Sequence, residues 1–279
     1  ELGVYSQNGE DGILLHIFSQ IGVTNRTFIE FGMEDGRECN TANLAINFGW
    51  RGLLMDISDT NVASARQYYN AVLGDKKDHV KIIQCMVTRD NINSVLKNNT
   101  IETDVDLLCI DIDSNDYYVW QAITDVNPRV VVVEINPAYG PDRSLTVKYQ
   151  EVFDRFSFHP TGFYFGASLA AFTKLAQAKG YSLVGCESTG NNAFFVRNDA
   201  LCGDLQAMTP QQAYYRDMRL HSDVRQDGDL VAPDAFEFIK HLDFVEVSNE
   251  IPSLWPTGRT PPQSIGRDFE TLHYNPDEK

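Results

Sequence analysis

The chain has 279 residues, 43% of them hydrophobic, with 23 Lys and Arg against 39 Asp and Glu and a net charge of −16. That length allows one large α/β domain, or a domain of roughly 200 residues with an appendage; no apolar run approaches the ~20 residues of a membrane span. The acidity, unbroken by any basic stripe, would repel a phosphate backbone and argues against nucleic acid as a partner. Cys39, Cys85, Cys109, Cys186 and Cys202 show neither paired metal spacing nor an even count, and three of them sit in apolar strand-like runs where Cys acts as a small buried hydrophobe. A reduced compartment, the cytoplasm, fits this usage. No signal peptide is legible, and a first residue other than Met fits a trimmed N-terminus.

The polar opening Gln7, Asn8, Gly9, Glu10 reads equally as a capping loop or as part of a site. It feeds a helix from about Asp11, the expected N-cap, with Ile13, Leu14, Ile17 and Phe18 on one face. Residues 26–32 form a first strand, ending in Glu30 and a turn punctuated by Gly32 and Gly36, and residues 40–48 a crossover helix. The run 51–58 is continuously apolar, as in strands buried on both faces. Asp59 is the expected cap of helix 60–72, residues 79–87 are the third strand, and Asp90 caps a short helix carrying Ile92, Val95 and Leu96. A fourth strand (104–113), a helix (117–123) and a fifth strand (129–136) follow. Such alternation predicts a parallel sheet with helices on both faces.

Residues 138–166 are rich in aromatics, Gly and Pro and long for a connection, which predicts a lid. Helix 167–180 ends at Gly180, and strands 181–188 and 192–198, joined by only three turn residues, must be antiparallel. The composition shifts near residue 200. The tail holds one expected helix, 210–221, and a Pro-punctuated stretch at 251–263, so the expected division is a domain at 1–199 and an extension at 200–279 that wraps or covers the site.

A strand, turn and helix start at the carboxyl edge of a parallel sheet is where doubly wound folds bind nucleotide-like ligands. Glu30 would oppose a pyrophosphate there and favour a cationic amino-acid head group, which points to a nucleoside cofactor without phosphates. Glu34 and Asp35 in the turn reinforce that reading.

The layout over residues 5–198 resembles the Rossmann-like class I S-adenosylmethionine-dependent methyltransferases: an α/β fold with a seven-stranded, mostly parallel sheet, a final antiparallel hairpin and helices on both faces. FIEFGMEDGRECNT is similar to the acid-x-Gly-x-x-x-Gly first motif of FkbM-type methyltransferases, whose Asn-Thr pair corresponds to Asn40 and Thr41. The resemblance implies that Glu30 lies near the methionine amino group, that Gly32 and Gly36 let the backbone approach the cofactor, and that Asp56 holds the ribose hydroxyls. Met86 and Val87 would face the adenine. Glu10, Asn40, Ile57 and Asp111 complete the implied cofactor set.

A second acidic group follows strands four and five: Asp111, Asp113, Asn115 and Asp116, then Glu134 and Asn136. These are hard oxygen ligands suited to Mg²⁺, and the pattern is also similar to cation-dependent O-methyltransferases, which implies a divalent cation on Asp111, Glu134 and Asn136. FkbM-type proteins need no metal there, so both readings stand. Methyl transfer to a hydroxyl needs a positioned acceptor and a proton sink. Asp113 and His159 are the candidate catalytic bases, and Asp113, Asn115, Tyr139 and Arg143 the candidate acceptor-binding residues. The expected activity is O-methylation of a small or glycan-linked acceptor such as a sugar or natural product, by a protein compatible with homo-oligomerisation. The rival readings are an NAD-dependent oxidoreductase sharing the sheet and Asp56, and a noncatalytic interaction module.

Overall fold

The computed structural model describes residues 2–99, 102–215 and 235–248. Its centre is a seven-stranded sheet. The parallel strands are β1 (Thr27–Phe31), β2 (Arg51–Asp56), β3 (Val80–Gln84), β4 (Leu107–Ile110) and β5 (Val130–Glu134), and the late hairpin is β7 (Tyr181–Cys186) with β8 (Asn192–Arg197). The order is β3-β2-β1-β4-β5-β8-β7, with β8 antiparallel to both β5 and β7. A short β6 (Leu145–Val147) pairs with β9 (Phe244–Glu246) outside this sheet.

Because side chains alternate across a strand, the apolar runs feed two cores. Ile29, Phe31, Leu53, Leu108 and Val131 point to one face. There they pack against α4 (Ile92–Asn99), α5 (Asp116–Ala122) and α7 (Leu169–Ala178) through Leu96, Trp120 and Phe172. On the other face Phe28, Leu54, Cys109 and Val132 meet α1 (Glu10–Ile21), α2 (Ala42–Phe48) and α3 (Asp59–Leu73) through Leu14, Leu44 and Val62. Each fully buried side chain of this size contributes roughly 1.5–3 kcal/mol.

Polar anchors fix the amino ends of the strands. Asp106, fully buried, accepts hydrogen bonds from the backbone N–H groups of Thr24, Asn25 and Arg26 and from the Thr24 hydroxyl. Arg129 donates to the carbonyls of Ile21 and Gly22 at the end of α1 and lies 3.3 Å from Asp106.

Several element ends differ from the sequence expectation. Gly9, in the left-handed conformation, precedes α1; Asp11 lies inside the helix and turns its carboxylate back onto the N–H groups of Val4, Tyr5 and Ser6. Ser58, not Asp59, caps α3 through Asn61 N–H. The cap before α4 is a reciprocal Thr88–Asn91 pair rather than Asp90. β3 stops at Gln84, which leaves Met86 and Val87 in a loop.

The lid region is also more ordered than its composition predicts. It contains β6 and α6 (Arg155–Phe158), and β9 and α9 (Phe236–Ile239) from the tail pack on it through Tyr139, Tyr164, Phe236 and Phe244. Of the expected helix 210–221, α8 (Pro210–Ala213) forms with a capping box at Thr209 and ends at extended Tyr214; the part from 216 lies outside the described residues, as does 251–263.

Candidate functional site

The sheet register determines which side chains meet. Phe31 pairs with Met55 and Ile110, and Ile110 with Val133, so one residue further on Gly32, Asp56, Asp111 and Glu134 come level at the carboxyl edge; Asn192 pairs directly with Glu134. This edge, where the order turns from β1 to β4, floors an open cavity of about 750 Å³ that residues of the lid between 151 and 165 help to line.

Gly32 makes the donor side possible. Its φ is +74°, and a Cβ there would stand 1.5 Å from the Asp111 carbonyl oxygen. Glu30, buried on the face that meets α2, accepts from Asn40 N–H (2.8 Å), Thr41 N–H (3.1 Å) and the Thr41 hydroxyl (2.5 Å). Burial raises its pKa against those hydrogen bonds. Its carboxylate thus organises the start of α2, where the unpaired N–H groups need acceptors, as well as lining the cavity.

Asp56 accepts from Ser58 N–H and Asn61 Nδ2 on one oxygen and from Glu34 N–H on the other. Glu34 and Asp113, both with left-handed backbones, line the cavity on either side. Non-glycine residues in that region are uncommon and cluster at functional sites. Glu10, 1% exposed, accepts from Asn8 and from Asn192 Nδ2.

The cavity is strongly anionic. Among the described residues nine carboxyl side chains line it against one guanidinium, Arg155. That guanidinium is paired with Asp113 at 2.8 Å and lies over Phe165. Burial, then repulsion from Asp116 and Asp113, raises the pKa of Asp111 well above the usual carboxylate range. Glu134 moves the same way through burial and Asp111, and burial pushes Asp116 up to about 7 against the N–H donors of Ile112 and Ser114. A cation bound here would relieve that repulsion.

Of the expected cofactor residues, Glu10, Glu30, Gly32, Asn40, Asp56, Ile57, Met86, Val87 and Asp111 all line this cavity. Gly36 does not. Its φ is +77°, and a Cβ would meet the Tyr69 ring at 2.9 Å, so packing against α3 demands the glycine. Asp113 and Asn115 line the cavity; Tyr139, Arg143 and His159 do not. Tyr139 is fully buried and donates to the Phe165 carbonyl. Arg143 donates to the Tyr139 carbonyl and lies over Phe236. His159 shares a 2.8 Å hydrogen bond with the Thr161 hydroxyl.

The expected metal ligands Asp111 and Glu134 both line the cavity. Asn136 lines the cavity, but its carbonyl oxygen accepts from Ala138 N–H and its amide donates to the carbonyls of Phe163 and Phe165, which ties the lid to β5. Among the described residues no group of three or more His, Cys, Asp or Glu could hold a metal ion. Sequence reasoning missed Asn192 and Arg155: the first reads only as the opening residue of a late strand, and nothing in the spacing of the second marks it as pairing with Asp113.

No protein-family model matches the chain, and no curated protein sequence matches it. Solved structures do. An O-methyltransferase from Bacillus cereus in complex with S-adenosylhomocysteine is 18% identical, over 66% of this chain and 76% of that one, with a TM-score of 0.41. Magnesium protoporphyrin IX methyltransferase from Synechocystis PCC 6803 with bound S-adenosylmethionine is 12% identical, over 67% and 77%, with a TM-score of 0.41. Geranyl diphosphate C-methyltransferase from Streptomyces coelicolor A3(2) is 13% identical, over 63% of this chain and 61% of that one, with a TM-score of 0.41. The strand order β3-β2-β1-β4-β5-β8-β7 with its antiparallel end hairpin is the arrangement expected for the class I methyltransferase fold.

Among the described residues no helix is long and apolar enough to cross a membrane.

Proposed function

We propose that the protein is an S-adenosylmethionine-dependent methyltransferase that methylates a hydroxyl of a small acceptor, such as a sugar, a glycan-linked group or a natural product, in a domain at 1–199 partly covered by the extension at 200–279. The observation that carries this reading is the anionic cavity at the β1–β4 switch point, with nine carboxyl side chains and the close approach allowed by Gly32. Such a field favours a ligand with a sulfonium and an ammonium and opposes the pyrophosphate of NAD.

The cofactor, when bound, supplies a methyl group on positively charged sulfur. The chain's own residues do the rest. Asp56 offers its remaining acceptor capacity to ribose hydroxyls, a carboxylate's usual role at the end of the second strand. Ile57, Met86 and Val87 provide an apolar wall for the base. Glu30 holds the start of α2 in place, and the Asn136 amide keeps residues 163 and 165 over the cavity, which limits water and fixes the acceptor. As methyl transfer forms the ether bond and breaks the sulfur–methyl bond, the hydroxyl proton must leave. Asp113, paired with Arg155 at 2.8 Å and lining the cavity, is the residue we assign to receive it. No step is routed through a metal ion.

Parallel calorimetric titrations with S-adenosylhomocysteine and NAD test this assignment. Saturable binding of the first alone supports it, and binding of NAD alone replaces it with an oxidoreductase.

A further inference from the structure

Burial normally leaves a polar atom with a partner, yet three acceptor oxygens on residues that line the cavity have none: Glu134 Oε2, Asn115 Oδ1 and Asn192 Oδ1. Asn115 and Asn192 are 3% and 6% exposed, and each amide is held by its nitrogen end. Asn115 Nδ2 donates to the Gln150 carbonyl at 2.7 Å, and Asn192 Nδ2 donates to Glu10 Oε1 at 2.9 Å. The carbonyl oxygens are therefore the ends the protein leaves unused. No lining residue leaves a buried side-chain donor unpaired in the same way, since the other such atoms, on Asp11 and Tyr149, lie elsewhere.

All three oxygens belong to the β5, β8 and α5 side of the switch point, away from Gly32 and Asp56. Arg155, the one cation among the described lining residues, is already paired with Asp113. We propose that this half of the cavity recognises a protonated amine on the acceptor, with Glu134 as counter-charge and the Asn115 and Asn192 carbonyls accepting from the same donor-rich group. The acceptor class is then an amine-bearing polyol, and acceptors carrying phosphate or carboxylate are excluded. A cationic donor satisfies three orphaned acceptors and the negative field together, whereas a neutral hydroxyl answers only the first. This rests on the methyltransferase reading for the division of the cavity into donor and acceptor halves.

The test compares glucosamine, glucose and glucuronic acid, which share a pyranose ring and differ in charge, for binding to the full chain with and without S-adenosylhomocysteine. Glucosamine is expected to bind about tenfold tighter than glucose, with glucuronic acid weakest. Glu134→Gln removes that preference while S-adenosylhomocysteine affinity stays within about twofold. Glucosamine binding no tighter than glucose, undetectable glucosamine binding, or a preference that survives Glu134→Gln overturns the proposal. A joint loss of S-adenosylhomocysteine binding in Glu134→Gln also overturns it, because Glu134 would then serve the cofactor's own ammonium. If S-adenosylhomocysteine fails to bind the unmutated chain, the methyltransferase reading falls separately, and the three-sugar comparison remains readable on the free protein.

Discussion

The α-carbon of Gly32 packs against the backbone carbonyl of Asp111 so closely that a Cβ would lie 1.5 Å from the oxygen. Two neighbouring strands thus present their carboxyl ends as one surface, and the first turn can lie flat over it. Gly49 has a left-handed backbone, φ +66° and ψ +26°, with nothing within 4 Å of the site of a Cβ. Gly49→Ala should therefore cost only about 1 kcal/mol, the left-handed penalty. Gly32→Ala should cost several times that and abolish cofactor binding. Urea unfolding of both variants is the check, and equal losses would show that the close approach does not constrain the fold.

Glu30 and the start of α2 are coupled through three hydrogen bonds. Removing the carboxylate strands two buried N–H groups, each worth about 1–3 kcal/mol. Glu30→Ala should lose about 3 kcal/mol and weaken S-adenosylhomocysteine binding, because Asn40 also lines the cavity. Unchanged stability would mean that α2 starts correctly without the acid.

Asp106 provides the contrast, since it sits at the opposite edge of the sheet. Asp106→Ala leaves Arg129 buried without its counter-charge and should lose about 3–5 kcal/mol. The folded fraction should still bind the cofactor with normal affinity. Calorimetry below the unfolding midpoint separates the two effects, and weakened binding would contradict the separation of frame from site.

The acidic floor predicts an unusual pH dependence. An acid whose folded pKa lies above its unfolded value of roughly 3.9 holds its proton longer in the folded state. Stability from this group is therefore fully present at low pH and falls as pH rises from about 4 through the folded value. For Asp116 that value is about 7, and Asp111 and Glu134 shift in the same direction. Asp116→Asn keeps an acceptor for Ile112 or Ser114 N–H and should flatten the fall between pH 4 and 7, by at most about 1.4 kcal/mol per pH unit. Identical urea midpoints for variant and parent across that range would contradict the assignment.

The sheet was legible in the sequence because its strands are near-continuous apolar runs and the five-residue connection between β7 and β8 is too short for anything but an antiparallel pair. The position of Gly32, Asp56 and Asp111 at the carboxyl edge was legible for the same reason, since a parallel sheet brings its strand ends level. Gly36 packs on Tyr69 outside the cavity lining, and a glycine demanded by an aromatic ring looks the same in sequence as one demanded by a ligand. Tyr139, Arg143 and His159 lie outside the cavity lining because the lid folds around its own aromatic core with help from β9 and α9, a long-range contact that local patterning does not encode. Asn192 and Arg155 reach the cavity through register and tertiary packing alone.

The central claim, that residues 28–58 build a site for S-adenosylmethionine, is tested most directly by calorimetric titration of the unmutated chain and of Asp56→Asn with S-adenosylhomocysteine. The account predicts saturable one-to-one binding by the unmutated protein and at least about tenfold weaker binding by the variant. An absence of binding heat in the unmutated protein, or equal affinity in the two, would contradict it.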